Sequence, residues 1–294
     1  MNLGQIRQNV IIEGRPGLTV ARGALWAAHC ALRRPAIVRM GPTGPKMKLP
    51  PRPRAFGATC LYMKRDAYEP SLRIFTGLAR SGDVVLDVGA NYGVYALLTA
   101  AAVGPQGAVH CFEPGSASLE QLRQNIALNP GLPISVHELA LSDRSGSASL
   151  FHVGGSPTTF SLGEDSRVKH ETITKTTLDT WASDLGIRDV RAIKMDVEGH
   201  ETNVIRGGAT LITETRPVIM FEISHAALRR NGSTAEELWT LVTGFGYTVL
   251  GVRDGCLVAL ERPHEGNLFA FPWDFDTSGA PIAALATKLA PARG

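Results

Sequence analysis

The chain has no apolar run of about 18 residues, the length that would suggest a membrane-spanning helix. Its start, Met1-Asn-Leu-Gly-Gln-Ile-Arg-Gln, lacks the basic-then-apolar order of a signal peptide. Cysteine is scarce: Cys30, Cys60, Cys111 and Cys256 lie far apart with no C-x-x-C, which argues against a zinc site or a disulfide framework. These absences lead us to expect a cytoplasmic protein of a reducing compartment. Aromatic residues are only 6% of the composition, few for a surface that stacks nucleobases. The G-x-G-x-x-G signature of dinucleotide sites is also missing. What is present is 294 residues with 44% hydrophobic composition, enough for one large α/β domain and an appendage.

The most informative stretch is Asp83-Val-Val-Leu-Asp-Val-Gly-Ala-Asn-Tyr-Gly-Val-Tyr95, followed by Ala108-Val-His-Cys-Phe-Glu-Pro114. Val84 to Leu86 suit a strand buried on both faces, and Gly89 and Gly93 punctuate its exit into an alanine-rich helix. Asn91 stands where a dinucleotide fingerprint would place its second glycine, so the turn has no cradle for a pyrophosphate. Asp87 closes the first strand and Glu113 closes the next. Two acidic groups without a phosphate cradle suit a ribose joined to a cationic group, the form of S-adenosylmethionine. Glu113 would accept the ribose hydroxyls, while Asp87 and the turn residues Gly89, Ala90, Asn91 and Gly93 would face the methionine portion. Further along, Ile134 to Leu141 forms a third strand, ending in Ser142-Asp143, which would meet the adenine edge unless it is a plain reverse turn. Residues 147 to 176 resemble an antiparallel excursion beside the sheet.

A second dense cluster, Lys194-Met-Asp-Val-Glu-Gly-His-Glu201, crowds four ionisable groups after Met195, where a strand passes into a helix. The next strand, Pro217 to Ile223, ends near Glu222. Asp196 and Glu222 therefore stand at neighbouring strand ends, where paired carboxylates can act as a base or hold a divalent cation such as Mg²⁺. We rank Asp196 first as catalytic base or metal ligand, Glu222 second and Glu198 third. Glu201 also suits simple helix capping.

Together, Asp87 to Gly93, Phe112-Glu-Pro114, Ala140 to Asp143, Thr177-Leu-Asp179, Ile193 to Glu201 and Phe221-Glu222 resemble the FkbM family of S-adenosylmethionine-dependent methyltransferases. The resemblance covers about residues 60 to 272. It implies a class I methyltransferase fold: a Rossmann-like, mostly parallel, seven-stranded sheet with helices on both faces and an antiparallel last strand. It also implies O-methylation of sugars, glycans or secondary metabolites. His200 stands where the family often has a small residue.

Net charge is distributed unevenly. Residues 1–82 carry +11 and the remainder −8. We expect residues 1–59 to form a basic N-terminal arm, partly helical and followed by a Pro/Gly-rich linker. Residues 60–272 would be the methyltransferase domain and residues 273–294 a tail. The arm suits an anionic contact, such as a membrane surface, or packing in a homodimer. A nucleic-acid or other N-methyltransferase is the competing enzyme reading, but the Asn/Asp-Pro-Pro-aromatic motif of many base N-methyltransferases is absent, and no specific nucleic acid is expected. A catalytically silent cofactor-binding protein is the other alternative.

Overall fold

The computed structural model describes residues 15–52, 56–152, 160–161, 170–253 and 255–275. Residues 1–14 and 53–55 of the expected arm, part of the excursion, residue 254 and most of the expected tail lie outside these residues. Among the described residues no helix is long and apolar enough to cross a membrane.

The apolar strands anticipated from sequence form one large sheet. Its central members are β3 (Val84–Val88), β4 (Ala108–Phe112), β5 (Ile134–His137), β10 (Ala192–Met195) and β11 (Val218–Ile223), all parallel to their neighbours within this set. Beyond β11 lie β14 (Gly266–Pro272), antiparallel to it, then β12 (Tyr247–Arg253) and β13 (Cys256–Ala259). The order is therefore β13-β12-β14-β11-β10-β3-β4-β5, eight strands rather than the expected seven. The second arm of the 247–260 hairpin supplies the extra edge strand. Although it comes last in the chain, β14 inserts between β11 and β12.

Separate apolar clusters cover the two faces of the sheet, one containing Leu86, Ile193 and Phe221 and the other Val85, Met220 and Phe269. Burial on both sides explains why the central strands are continuous apolar runs. The excursion forms a second sheet in the order β6-β9-β7-β8, from β6 (Ala140–Leu141), β7 (Gly146–His152), β8 (Phe160–Ser161) and β9 (His170–Thr176). The third strand expected over 134–141 thus divides between the two sheets.

The helices connecting these strands are α3 (Pro70–Leu78), α4 (Val94–Val103), α5 (Ser116–Ala127), α6 (Leu178–Leu185), α7 (Glu201–Gly207), α8 (Ala209–Thr215), α9 (His225–Arg230) and α10 (Ala235–Gly244). Thr177 caps α6, its Oγ1 accepting from the Thr180 N–H at 3.0 Å. Ser116 is the first residue of α5. Gly115 is the cap residue, and its N–H donates to Glu113 at 2.9 Å. Asp179 of the Thr-Leu-Asp motif accepts from the N–H groups of Thr210 and Leu211 at 3.0 and 2.8 Å, satisfying donors at the start of α8.

The basic N-terminal part contains the helices α1 (Pro16–Ala31) and α2 (Phe56–Lys64) and the hairpin of β1 (Ala36–Arg39) and β2 (Lys46–Leu49), where a Pro/Gly-rich linker was expected. Trp26, Met40, Met47, Leu49, Leu61 and Tyr62 form a core that also takes in Tyr92 and Leu97 of the main domain. The edge of β2 is bonded to α5. Asn129 both accepts from Lys46 N and donates to Lys46 O at 2.7 Å. Fully buried Asn125 accepts from Lys48 N at 2.7 Å and donates to Tyr92 O at 2.8 Å. No gap in the packing therefore marks the boundary drawn at residue 59, because the amides of Asn125 in α5 and of Asn129 just after it complete the backbone pairing of the hairpin.

Asn125→Ala leaves a buried N–H and a buried carbonyl without partners, each costing about 1 to 3 kcal/mol. We expect a lower denaturant midpoint with an unchanged m-value, measured by urea unfolding.

Candidate active site

The turn after β3 is left-handed at three positions, Gly89 (φ 78°), Asn91 (φ 49°) and Gly93 (φ 82°). A Cβ on Gly89 would lie 2.0 Å from the Asp196 carbonyl oxygen, so only glycine lets this turn meet the end of β10. Asn91 N donates to Glu113 Oε2 at 2.8 Å, while Glu113 Oε1 takes the Gly115 N–H. Glu113 is thereby fixed at the base of the turn with a lone pair left on each oxygen. Burial raises its pKa to about 7 against these two hydrogen bonds.

Asp87 is not at the cavity surface. It accepts from the Ala96 N–H at 3.0 Å, inside the start of α4, and its other oxygen lies 3.3 Å from Lys194 Nζ. Register places Lys194 directly beside Asp87 on the adjacent strand. The same ammonium donates to Gly89 O at 2.8 Å and lies 3.8 Å from Asp196. Burial works against the charge of Lys194, but Asp87, Asp196 and Glu69 outweigh it and hold its pKa above the ordinary lysine value.

The loop after β10 is tightly constrained. Glu198 has φ 55° and Gly199 φ 97°, and a Cβ on Gly199 would fall 2.2 Å from the Ala227 carbonyl carbon. Asn231 donates to Glu198 O at 3.0 Å. Buried Glu201 accepts from Val197 N at 3.0 Å and Gly199 N at 3.4 Å, so it holds the loop from below rather than capping the helix it opens, whose cap residue is His200. Asp196 projects from the loop with its side chain about half exposed, at 46%. Burial raises Glu198 to about 7, helped by Asp196. Glu222 is raised to about 8 by burial and then by Asp196, Glu198 and Glu201. The three sequence candidates do converge electrostatically. No group of three or more His, Cys, Asp or Glu residues at metal-holding distances occurs among the described residues, so the metal reading of Asp196 and Glu222 has no ligand set to support it.

A cavity of about 680 Å³ opens above the strand ends, bordered by Gly89, Asn91, Glu113, Asp196, Glu198 and His200, with Phe112, Pro114, Leu139, Leu141 and Leu150 as an apolar wall. Ser142 and Asp143 are not among the residues that border this cavity. The Ser142 hydroxyl is buried, donates to Asp143 at 3.0 Å and lies 3.0 Å from His200 Nε2. Burial and the nearby Lys175 charge lower His200 to about 4, so it faces the cavity as a neutral imidazole.

Sequence reasoning missed Glu69, which precedes the Pro70 that opens α3. Tyr95 donates its hydroxyl to Glu69, and Asn267, paired with Glu222 across β11 and β14, donates to it at 3.3 Å. Burial raises the Glu69 pKa, opposed by the Tyr95 hydrogen bond and reinforced by Asp196. Burial also raises the Tyr68 phenol, helped by Glu69, Asp196 and Glu222. Pro at the first helical position marks the start of α3, but nothing in Tyr68-Glu69-Pro70 shows which strands its side chains will meet. Glu69 also borders a second cavity of about 850 Å³, with Ser71, Arg253, His264, Glu265 and Asn267.

The sheet order, the glycine turn without a phosphate cradle and the acidic end of the second strand are those of a class I methyltransferase fold. Comparison with known families narrows this further. The family model of the methyltransferase FkbM domain matches residues 87–249, and the chain belongs to this family. It is 30% identical over 161 residues to the 2-O-methyltransferase NoeI of Sinorhizobium fredii, covering 49% of this chain and 65% of that protein. It is 27% identical over 152 residues to the hexuronic acid methyltransferase AglP of Haloferax volcanii, covering 51% and 59%. The chain thus spans less than two thirds of the length of either relative. A crystal structure of a methyltransferase FkbM from Methylobacillus flagellatus covers 87% of this chain and 60% of that one, at 18% identity and a TM-score of 0.42.

The raised carboxyls set the sign of a pH effect. In the unfolded chain such a group ionises near its ordinary value of 4.5, whereas folded Glu222 holds its proton to about 8. The folded state is therefore favoured at low pH and loses that advantage as pH rises between these values. Glu222→Gln should match the wild type in stability near about pH 5 and exceed it near about pH 8 by about 1 kcal/mol or more. Thermal melts of both proteins across this range check the difference.

Proposed function

We propose that the chain is an S-adenosylmethionine-dependent O-methyltransferase acting on a hydroxyl of a sugar or glycan. The carrying observation is the charge balance at the sheet edge. Glu69, Asp87, Glu113, Asp196, Glu198 and Glu222 all act electrostatically on or with the single buried ammonium of Lys194. Burial raises the pKa of Glu69, Asp87, Glu113, Glu198 and Glu222, and neighbouring carboxylates reinforce the rise, so the edge favours an added cation. A ligand bearing a sulfonium and an ammonium would supply one, whereas a dinucleotide would bring further negative charge.

The residues fit this cofactor on the observations above. Glu113 keeps free lone pairs for ribose hydroxyls, and the wall of Phe112, Pro114, Leu139, Leu141 and Leu150 suits an adenine. When bound, S-adenosylmethionine would supply a methyl group on a positively charged sulfur, open to displacement by an oxygen nucleophile. Asp196 would take the acceptor hydroxyl proton as the new O–CH₃ bond forms, because it borders the cavity half exposed, while Asp87, Glu113 and Glu201 are held by backbone N–H groups. Glu222, raised to about 8, would hold its proton near neutral pH and keep excess negative charge away from that proton transfer, and Glu198, raised to about 7, would do so in part. The names of the two curated relatives support a sugar hydroxyl as acceptor. The second cavity, bordered by Glu69, Ser71, Arg253, His264, Glu265 and Asn267, offers the polar side chains that such an acceptor needs.

Glu113→Ala should weaken S-adenosylmethionine binding by about 1 to 3 kcal/mol, read by titration calorimetry, while NAD should not bind either protein. Asp196→Asn should lower turnover by about 10² or more and leave cofactor affinity within a few fold. Turnover would be measured with labelled S-adenosylmethionine on a panel of glycan acceptors. Near-normal turnover in Asp196→Asn would remove it from the mechanism, and transfer only to nucleic acid would overturn the acceptor class. Chelator should leave the wild-type rate unchanged.

A further inference from the structure

The outward surface of α1 reverses the usual pattern of a surface helix, which turns its apolar stripe to the core and its charges to water. Here Trp26 is the buried residue, and Arg22 turns inward to donate to Met63 O. The exposed positions from Val20 to Leu32 are Val20, Ala21, Ala24, Leu25, Ala27, Ala28, Ala31 and Leu32, with no charged or hydrogen-bonding side chain among them. Val20, Leu25 and Leu32 are 72%, 58% and 65% exposed, and Ile37 on the outer face of β1 is 61% exposed. Scattered apolar residues on a surface need no explanation, but a continuous apolar helix face does.

Charge indicates what covers it. Between residues 14 and 65 there are eleven Lys/Arg and no Asp or Glu. Arg33 and Arg34 follow directly on Leu32, and Arg39 and Lys46 sit opposite each other on the outer side of the hairpin, all of them exposed. An apolar helix face bordered by basic side chains fits an anionic lipid interface, where the aliphatic groups enter the acyl boundary and the arginines meet the headgroups. A second copy of this chain fits poorly, since two-fold pairing through the face would bring like charges together.

We propose that α1 and the adjoining hairpin edge dock this protein on an anionic lipid surface. The proposal is independent of the methyl-transfer reading. The full chain should co-sediment with phosphatidylcholine vesicles containing phosphatidylglycerol, not with phosphatidylcholine alone, and binding should weaken at high salt. Arg33→Glu with Arg34→Glu should weaken partitioning by about tenfold or more, and Leu25→Ser with Leu32→Ser should weaken it comparably. These side chains point outward, so melting temperature and S-adenosylmethionine affinity should stay at wild-type values in both variants. Absence of binding to the phosphatidylglycerol vesicles overturns the proposal, as does binding unaffected by either pair of changes. A concentration-dependent dimer that Leu25→Ser with Leu32→Ser dissolves would assign the face to self-association and likewise overturn it.

Discussion

The ammonium of Lys194 is the interaction on which the rest of the site depends. It sits almost fully buried between β3 and β10, beside Asp87, and donates to the carbonyl of Gly89. One side chain thus joins the two central strands, anchors the turn below the principal cavity and partly neutralises the carboxylates around it. Removing one partner of a buried ion pair leaves an uncompensated charge, which costs far more than the pair contributes. Lys194 and Asp87 are therefore scaffold as much as site, buried beneath the cavity rather than bordering it.

The acidic residues at this edge divide into two kinds. Asp179 and Glu201 spend their oxygens on backbone N–H groups, fixing the start of α8 and the loop after β10. Glu113 stands between the kinds, holding two N–H groups while still bordering the cavity. Asp196 is committed to no hydrogen bond of this sort and projects from a loop whose left-handed residues, Glu198 and Gly199, are braced by Glu201 and Asn231. Backbone strain of this type persists only where neighbouring structure over-determines it, and such positions cluster at functional sites.

The two halves of the chain meet through buried amides. Asn125 joins the backbone of the basic hairpin to Tyr92 in the turn over β3, so the positively charged N-terminal part is structurally continuous with the negatively charged cavity region. Opposite charge and shared packing leave two contrasting surfaces on one molecule: an acidic cleft at the carboxyl edge of the sheet, and a basic, partly apolar flank.

The sequence by itself determined the local elements, because their signals are local. The apolar runs of β3, β10 and β11 mark doubly covered strands, Gly89 and Gly93 mark the turn, and Asp196, Glu198 and Glu222 mark acidic strand ends. Tertiary structure decided which of these meet. The ion pair of Asp87 with Lys194 follows from the adjacency of β3 and β10, whose residues lie far apart in the chain, so no local spacing encodes it. Glu69 joins the cluster only because α3 packs beneath the sheet and β14 inserts beside β11, bringing Asn267 to it. Ser142 and Asp143 read as ligand contacts from their position after a strand, yet the chain turns there into the second sheet and seats Ser142 against His200. The charge of residues 1–59 suggested a separable arm, while the amides that bind the hairpin to the domain come from Asn125 in α5 and Asn129 just beyond its end, which look in sequence like ordinary polar residues.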